Sequence, residues 1–173
     1  MSRDGSRRAN EPTPAATRAA AGASTRTTRV IRARPEALYD AFVDPAALVE
    51  WLPPDAMTAR LHAFDARVGG GYEMSLFYPP EERRFRGKTA DREDRVVVRF
   101  VELTRPRRVV EAVRFASDDP AYGGEMTLTV TLEPAGEGTA VTLAFEGLPP
   151  GVRPEDNDAG ARASLAQLAR RFE

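Results

Sequence analysis

The C-terminal stretch of the chain, PEDNDAGARASLAQLARRF at residues 154–172, decides how the rest must fold. Pro154 suits the first position of a helix, because its missing N–H would have no partner there. Acidic residues follow in the first turn, and Arg170 and Arg171 lie in the last turn, so the charges at both ends complement the helix dipole. The pattern predicts a helix that ends the domain.

One face of this predicted helix is apolar. It consists of Ala161, Leu165, Leu168 and Phe172, which recur at spacings of four, three and four residues, as expected of an amphipathic helix. Burying the three larger side chains would contribute roughly 5–9 kcal/mol. That is a large part of the roughly 5–15 kcal/mol that keeps a typical domain folded. We therefore expect the rest of the chain to form a surface on which this helix lies.

The composition fits one folded domain. The chain has 173 residues, of which 42% are hydrophobic and 29% are charged, so it is long enough to bury about two-thirds of its unfolded surface. Residues 1–23 are rich in Ala, Arg, Thr and Pro and lack apolar periodicity, which predicts a disordered N-terminal tail. The folded domain should then comprise residues 24–173.

Charge and cysteine content exclude several classes of protein. A net charge of −1 at pH 7 argues against nucleic acid as a partner, because phosphate binding needs clustered positive charge. The chain has no cysteine, which excludes disulfides and thiolate metal sites and fits a reducing cytoplasm. No apolar run approaches the roughly 18 residues that would span a bilayer. We expect a cytoplasmic protein without membrane insertion.

Proline positions mark two short helices after the first strand. Pro35 opens the first helix, Asp44-Pro45 separates it from the second, and Pro53-Pro54 ends the second. Residues 79–94 are highly charged and predict a mobile loop. Seven segments carry β-forming residues or alternate apolar and polar residues between turns. These predicted strands cover residues 24–34, 57–65, 72–78, 95–103, 108–116, 125–132 and a last segment around 141–145.

This order of elements predicts an α+β fold, an antiparallel sheet of seven strands with helices near its start and at its end. Four motifs accompany the order: VEWLPP at residues 49–54, FDARVGG at 64–70, RFVEL at 99–103 and GGEM at 123–126. Over about residues 24–172 the chain resembles the START-like (SRPBCC) superfamily and, within it, the bacterial homologues of the activator of the heat shock protein 90 ATPase.

The resemblance implies a helix-grip fold, in which a curved sheet wraps around the long C-terminal helix and an apolar cavity lies between them. It transfers no catalytic residue to this chain. The residues that we expect to line the cavity and bind a ligand are Trp51, Tyr72, Met74, Leu76, Tyr78, Glu111 and Leu165. The alternative for each of them is an ordinary position in the core.

Glu111 is the polar member of this set. If Val109 and Val113 face inward, the alternation of the strand makes Glu111 face inward as well. It would then be a polar anchor in an apolar pocket, and desolvation would raise its pKa unless an arginine pairs with it. The alternative is a strand whose start is frayed and turned outward.

His62 is the single histidine of the chain. Strict alternation places Arg60 and Phe64 on its face of the strand, and no serine or carboxylate stands at a recognisable motif spacing from it. One imidazole also falls short of the three protein ligands usual in a zinc site. A surface or partly packed histidine is the expectation.

Two further clusters favour structural roles. Gly69-Gly70-Gly71 predicts a hairpin turn, because Met74 stands where a phosphate loop needs its last glycine and a strand follows. The acids among residues 91–94 lack the order and glycine of a calcium loop and predict a solvated loop. The sequence therefore indicates no metal, no cofactor and no catalytic residue.

Three functions are compatible with these features. The first is the binding of a small hydrophobic molecule in the cavity, without catalysis. The second is a chaperone cofactor that presents its surface to a large protein partner. The third is a cyclase- or hydrolase-like enzyme, which the absence of a recognisable acid–base pair weakens.

Overall fold

The computed structural model describes residues 22–173. The predicted tail, residues 1–23, lies outside the described residues except for its last two. A short 3-10 turn, Pro120–Tyr122, lies between the fifth and sixth strands. In chain order the elements are β1 (Ala23–Ile31), α1 (Pro35–Val43), α2 (Pro45–Trp51), β2 (Thr58–Asp65), β3 (Gly71–Phe77), β4 (Glu93–Thr104), β5 (Arg108–Phe115), β6 (Met126–Ala135), β7 (Gly138–Leu148) and α3 (Pro154–Phe172).

The seven strands form one antiparallel sheet in the order β1-β7-β6-β5-β4-β3-β2. Consecutive strands from β2 to β7 are neighbours, whereas β1 pairs with β7 and forms the edge opposite β2. The sheet is open and curved, and the helices cover its concave face. This architecture confirms the predicted α+β helix-grip fold.

The long helix α3 begins and ends at the predicted residues, Pro154 and Phe172. It packs mainly against β1 and α2. Leu165 and Leu168 are 1% and 0% exposed, which confirms the predicted apolar stripe. The largest predicted contribution to stability therefore lies where the sequence indicates it.

Hydrogen bonds fix α3 on two sides. On the side of β1, the Thr27 hydroxyl donates to the Asp158 carboxylate at 2.5 Å. On the side of α2, the Ser164 hydroxyl donates to the carbonyl of Leu52 at 2.6 Å, and the Gln167 amide donates to the carbonyl of Pro53. These bonds hold the helix between the edge of the sheet and the end of α2.

The two short helices begin at the predicted prolines. Asp44 separates them, and its carboxylate accepts a hydrogen bond of 3.0 Å from the backbone N–H of Ala46, which caps α2. Helix α1 buries Leu38 and Phe42 over β5 and β6, and α2 packs against β2 and α3. Together they close one end of the concave face.

The segment between β3 and β4 differs from its prediction. Strand β4 begins at Glu93, so the irregular segment covers residues 78–92. The prediction that the acids of residues 91–94 are all solvated is wrong for Asp94, which is 5% exposed. Because β4 starts two residues early, its alternation turns Asp94 toward the concave face with Val96 and Val98.

Strand β2 contains a bulge at His62. The pairing of β2 with β3 shifts register between Leu61 and Ala63, so His62 is an extra residue on one strand. Phe64 therefore pairs with Tyr72 and stacks on its ring at a centroid distance of 6.0 Å, on the face opposite the exposed His62. The expectation that His62 and Phe64 share a face is wrong for this reason.

Candidate functional site

The concave face of β3 carries four of the predicted ligand-binding residues, Tyr72, Met74, Leu76 and Tyr78. Tyr72 and Met74 are 6% and 0% exposed, whereas Leu76 and Tyr78 are partly exposed. Burial therefore decreases along the strand toward the 78–92 segment. We call the part of the concave face around Tyr72 the closed end and the part around Leu76 and Tyr78 the open end.

Glu111 lies at the closed end and is 2% exposed. The Tyr72 hydroxyl donates a hydrogen bond of 3.3 Å to Glu111 Oε2, and this is the one hydrogen bond that residues 22–173 give to the carboxyl group. Burial raises the pKa of Glu111 to about 7, although the hydrogen bond from Tyr72 offsets part of that effect. The expectation of an inward-facing Glu111 with a raised pKa is confirmed.

The pKa of the Tyr72 phenol is shifted in the same direction. Burial, followed by the charge of Glu111, raises the pKa of Tyr72 well above its ordinary value. The rings of Phe64 and Phe100 lie 6.0 Å and 5.9 Å from that of Tyr72. The acid and the phenol thus share an apolar, aromatic environment in which both favour their neutral forms.

Trp51 and Leu165 are embedded in the core behind this face. The Trp51 indole N–H donates to the carbonyl of Ala41 at 2.9 Å, and its ring packs edge-on against Phe42 at 4.8 Å. Trp51 is 2% exposed and Leu165 is 1% exposed. Both side chains, like Met74, would meet a ligand only if α3 or α2 moved away from the sheet.

Aromatic side chains surround the open end. Phe115 projects from β5, and the ring of Tyr122, in the 3-10 turn, meets it edge-on at 6.1 Å. The backbone N–H of Gly151 donates to the carbonyl of Ala121 at 2.6 Å, which ties the segment before α3 to this turn. Sequence reasoning gave Tyr122 no role, because its residues 117–120 indicated only a turn.

A polar cluster borders the open end. Lys88, from the 78–92 segment, places Nζ 2.7 Å from Asp94 Oδ2 and 3.2 Å from the Tyr78 hydroxyl. Burial lowers the pKa of Lys88, but the charge of Asp94 and its hydrogen bond outweigh burial, so the net pKa is raised. Burial is also the main cause of the raised pKa of Tyr78. The one sequence signal for this cluster is that Lys88 is the single lysine of the chain.

A second polar cluster lies on the opposite, convex face. His62 Nε2 is 2.8 Å from Ser75 Oγ, and that hydroxyl donates a short hydrogen bond to the Glu93 carboxylate. Since the serine proton points to Glu93, the histidine must be the donor to Ser75. A serine nucleophile needs the reverse arrangement, with the imidazole as acceptor, and Ser75 is 0% exposed. This cluster therefore stabilises the β2–β4 region rather than forming a nucleophilic centre.

The remaining features that bear on a site are metal-ligating groups, the hydrophobicity of the helices and surface depressions apart from the concave face. Within residues 22–173 no group of three or more His, Asp or Glu side chains is arranged to hold a metal ion. None of the helices in this part of the chain combines the length and the apolar character needed to cross a membrane. One surface depression of about 500 Å³ lies between the start of α1 and the β4–β5 turn, and another of about 270 Å³ lies between α2 and α3. Both lie outside the concave face.

These features define a class of protein. An open, curved antiparallel sheet grips a C-terminal helix, and its apolar concave face contains a buried acid at one end and an aromatic opening at the other. This is the START-like helix-grip class. More specifically, the chain belongs to the family described as Activator of Hsp90 ATPase homolog 1-like protein, whose model matches residues 32–173.

Solved structures with the same fold come from several organisms. Protein CV1439 from Chromobacterium violaceum is 35% identical with a TM-score of 0.76, and the match covers 87% of this chain and 96% of that chain. Mll3558 from Rhizobium loti is 27% identical with a TM-score of 0.66, over 86% and 95% of the two chains. Ms6760 from Mycobacterium smegmatis, at 16% identity and a TM-score of 0.68 over 87% and 90%, is similar in fold alone. A comparison with curated proteins gives no match.

Proposed function

We propose that this protein binds a small hydrophobic molecule on the concave face of its sheet, between the sheet and α3. The observation that carries the proposal is Glu111. A carboxyl group that is 2% exposed in an apolar environment costs stability unless its polar atoms are partnered, and residues 22–173 give it one long hydrogen bond. A hydroxyl, carbonyl or amide group of a ligand would supply a second hydrogen-bond partner.

The gradient of burial along β3 supports an entry route. Leu76 and Tyr78 are partly exposed at the open end, together with Phe115 and Tyr122. An apolar ligand that covers such side chains gains roughly 25 cal/mol for each Å² of apolar surface removed from water. We propose that the ligand contacts this open end first and that its polar group reaches toward Glu111. Met74, Trp51 and Leu165 would contact the ligand only when α3 or α2 moves away from the sheet.

The test is binding of N-phenyl-1-naphthylamine, an uncharged apolar probe that fluoresces when it leaves water. We expect stoichiometric binding by the wild type and at least tenfold weaker binding by Leu76→Glu, which places a charge at the open end. Val30→Glu is the matched control, because Val30 is 54% exposed on the opposite face of β1. Circular dichroism checks that both variants fold.

The probe-binding experiment can either support or contradict the proposed site. Equal loss of binding in both variants would assign the probe to a nonspecific surface and contradict the proposal. The absence of probe binding to the folded wild type at 100-fold excess would also contradict it. Loss confined to Leu76→Glu would support the concave face as the site.

The family description supports a second candidate, contact with an Hsp90-type chaperone. In this function the protein acts through its surface, and the ligand site is not needed. Measuring the ATPase rate of a bacterial Hsp90 with and without an excess of this protein tests it. An at least twofold increase that Leu76→Glu leaves unchanged would favour the chaperone over the ligand.

Glu111 also supports a third candidate, a cyclase- or hydrolase-like enzyme. A carboxyl group whose pKa is about 7 can both donate and accept a proton near neutral pH, as general acid–base catalysis requires. A turnover test with the bound ligand, once it has been identified by native mass spectrometry, separates catalysis from simple binding. Chemical conversion that Glu111→Gln abolishes, with binding retained, would favour the enzyme.

A further inference from the structure

Lys88 occupies a cage formed by the Asp94 carboxylate, the Tyr78 hydroxyl and the Phe115 ring. Its Nζ lies 2.7 Å from Asp94 Oδ2 and 3.2 Å from the Tyr78 hydroxyl. The same nitrogen lies 5.5 Å from the centre of the Phe115 ring, whereas its distance of 5.9 Å from the centre of the Tyr78 ring places it beyond the hydroxyl, near the plane of that ring. A cation within about 6 Å of an aromatic face is attracted by the ring quadrupole. The cage therefore has the composition of a receptor for an ammonium group.

Two walls of the cage, Asp94 and Phe115, belong to the sheet, whereas Tyr78 and the occupant Lys88 belong to the 78–92 segment. Asp94 is in β4, Phe115 is in β5, and Tyr78 follows the last residue of β3. Tyr122 supports the ring of Phe115 from the side. Lys88, in contrast, lies in the 78–92 segment, which contains neither helix nor strand. The Asp94 and Phe115 walls would thus stay in place if the part of the loop that carries the lysine moved away.

The choice of lysine fits the shape of the cage. The other 24 basic residues of the chain are arginines, and position 88 alone carries a compact ammonium. A guanidinium is planar and matches carboxylates in a bidentate way, whereas an ammonium is a point charge that fits between a ring and an acid. The side chain of Asp94 is 7% exposed, so without a cation its charge would be buried with only the Tyr78 hydroxyl and the Lys88 backbone N–H as hydrogen-bond donors.

We propose that this cage binds the ammonium head group of a soluble amphipathic organic cation, and that Lys88 fills the site until such a ligand displaces it. The inference rests on the proposed function, because the apolar part of the same ligand would lie on the concave face. Asp94 and Phe100, the partner of Glu111, are six positions apart along β4, which is about 20 Å of strand. That length accommodates a ligand with a cationic group at Asp94 and a second polar group near Glu111.

The single lysine makes displacement measurable in the wild-type protein. An amine-reactive acetylating ester modifies Lys88 only when its amine leaves Asp94, and peptide mass mapping separates Lys88 from the N-terminal amine. Hexyltrimethylammonium is the probe, because a quaternary ammonium cannot consume the reagent. We expect it to accelerate modification of Lys88 at least fivefold. Hexanol and hexyl sulfate, which share the chain but lack the positive charge, should leave the rate unchanged.

Calorimetry of variants gives an independent measurement. Lys88→Met removes the competing ammonium from the cage and should bind hexyltrimethylammonium at least tenfold more tightly than the wild type. Adding Asp94→Asn to Lys88→Met should remove that gain. Should Lys88→Met fail to fold, Lys88→Gln takes its place, and the labelling experiment needs no variant.

The results separate this inference from the proposed function. Binding of the uncharged naphthylamine probe without any effect of the cation on Lys88 would overturn the ammonium site and leave the proposed function standing. Acceleration by all three hexyl compounds would overturn it as well, because the charge would then be irrelevant. Vesicles of phosphatidylcholine present the same head group on a surface, and acceleration by vesicles but not by the soluble cation would also overturn it.

Discussion

The Tyr72 hydroxyl and Glu111 Oε2 lie 3.3 Å apart, although the residues are 39 positions apart in sequence and β4 runs between their strands. This pair determines how strongly the Glu111 carboxyl group holds its proton. Burial and the phenol are the influences that shift the pKa of Glu111, and no cation among residues 22–173 contributes. Desolvation is therefore not cancelled, and the acid favours its neutral form up to about pH 7.

The first prediction is that Glu111 makes stability depend on pH in the direction opposite to that of a salt-bridged acid. Its pKa rises from 4.5 in the unfolded chain to about 7 in the folded one, so the folded state holds its proton more tightly. The free energy of unfolding should fall as the pH rises from 4.5 through 7, by roughly 3 kcal/mol in total. Urea titrations at pH 5, 6, 7 and 8 measure this slope.

Glu111→Gln is the control, because it retains an acceptor for the Tyr72 hydroxyl and cannot ionise. We expect this variant to match the wild type near pH 5 and to exceed its stability above pH 7. Parallel pH profiles for the two proteins would show that Glu111 is ionised and solvated in the folded state.

The second prediction concerns the docking of α3. Leu168 is 0% exposed, so Leu168→Ala should reduce the free energy of unfolding by about 2–5 kcal/mol through lost burial and the cavity left behind. Arg162 is exposed and pairs with Asp158 one turn away, so Arg162→Ala should change it by about 0.5 kcal/mol or less. Denaturant midpoints compare the two. Similar shifts for both variants would mean that the stripe does not hold the helix on the sheet.

The third prediction is coupling between Lys88 and Asp94. Lys88→Met leaves a largely buried carboxylate without its cation and should cost about 2–3 kcal/mol. The double variant with Asp94→Asn should cost less than the sum of the single variants, with a coupling energy of about 1–3 kcal/mol. Urea unfolding of the four proteins of this cycle measures that energy. Additive effects would place the Lys88 amine in solvent.

The fourth prediction uses two glycines with opposite surroundings. A Cβ on Gly71, which has φ +154°, would lie 1.8 Å from the carbonyl oxygen of Val98, so Gly71→Ala should destabilise the fold by about 2 kcal/mol or more. A Cβ on Gly160, inside α3, would meet no atom within 4 Å, so Gly160→Ala should stabilise it by about 0.5–1 kcal/mol. Melting curves of both variants test the contrast. A stable Gly71→Ala protein would contradict the close approach of β3 and β4 at this residue.

The sequence predicted α3 to the residue and the seven strands to within a few residues. These features depend on local physics, namely capping prolines, the dipole and the periodicity of apolar residues. The same local alternation predicted that Glu111 faces inward, and Tyr72, Met74, Leu76 and Tyr78 were expected to line the cavity with it. Whether these residues bind a ligand stays a prediction, because burial alone does not distinguish a binding wall from a core.

Other features could be seen only in the tertiary structure, because they depend on contacts between residues that are distant in sequence. The bulge at His62 reverses the phase of β2, and no local pattern marks where a strand takes up one extra residue. The early start of β4 turned Asp94 inward, where Lys88 meets it only because the 78–92 segment folds back toward the sheet. Alternation within one strand determines which face a side chain takes, but strand pairing and loop return decide which side chains share that face. For this reason the sequence predicted the fold and the buried acid, and only the tertiary structure brought the lysine, the acid and the two aromatic rings together.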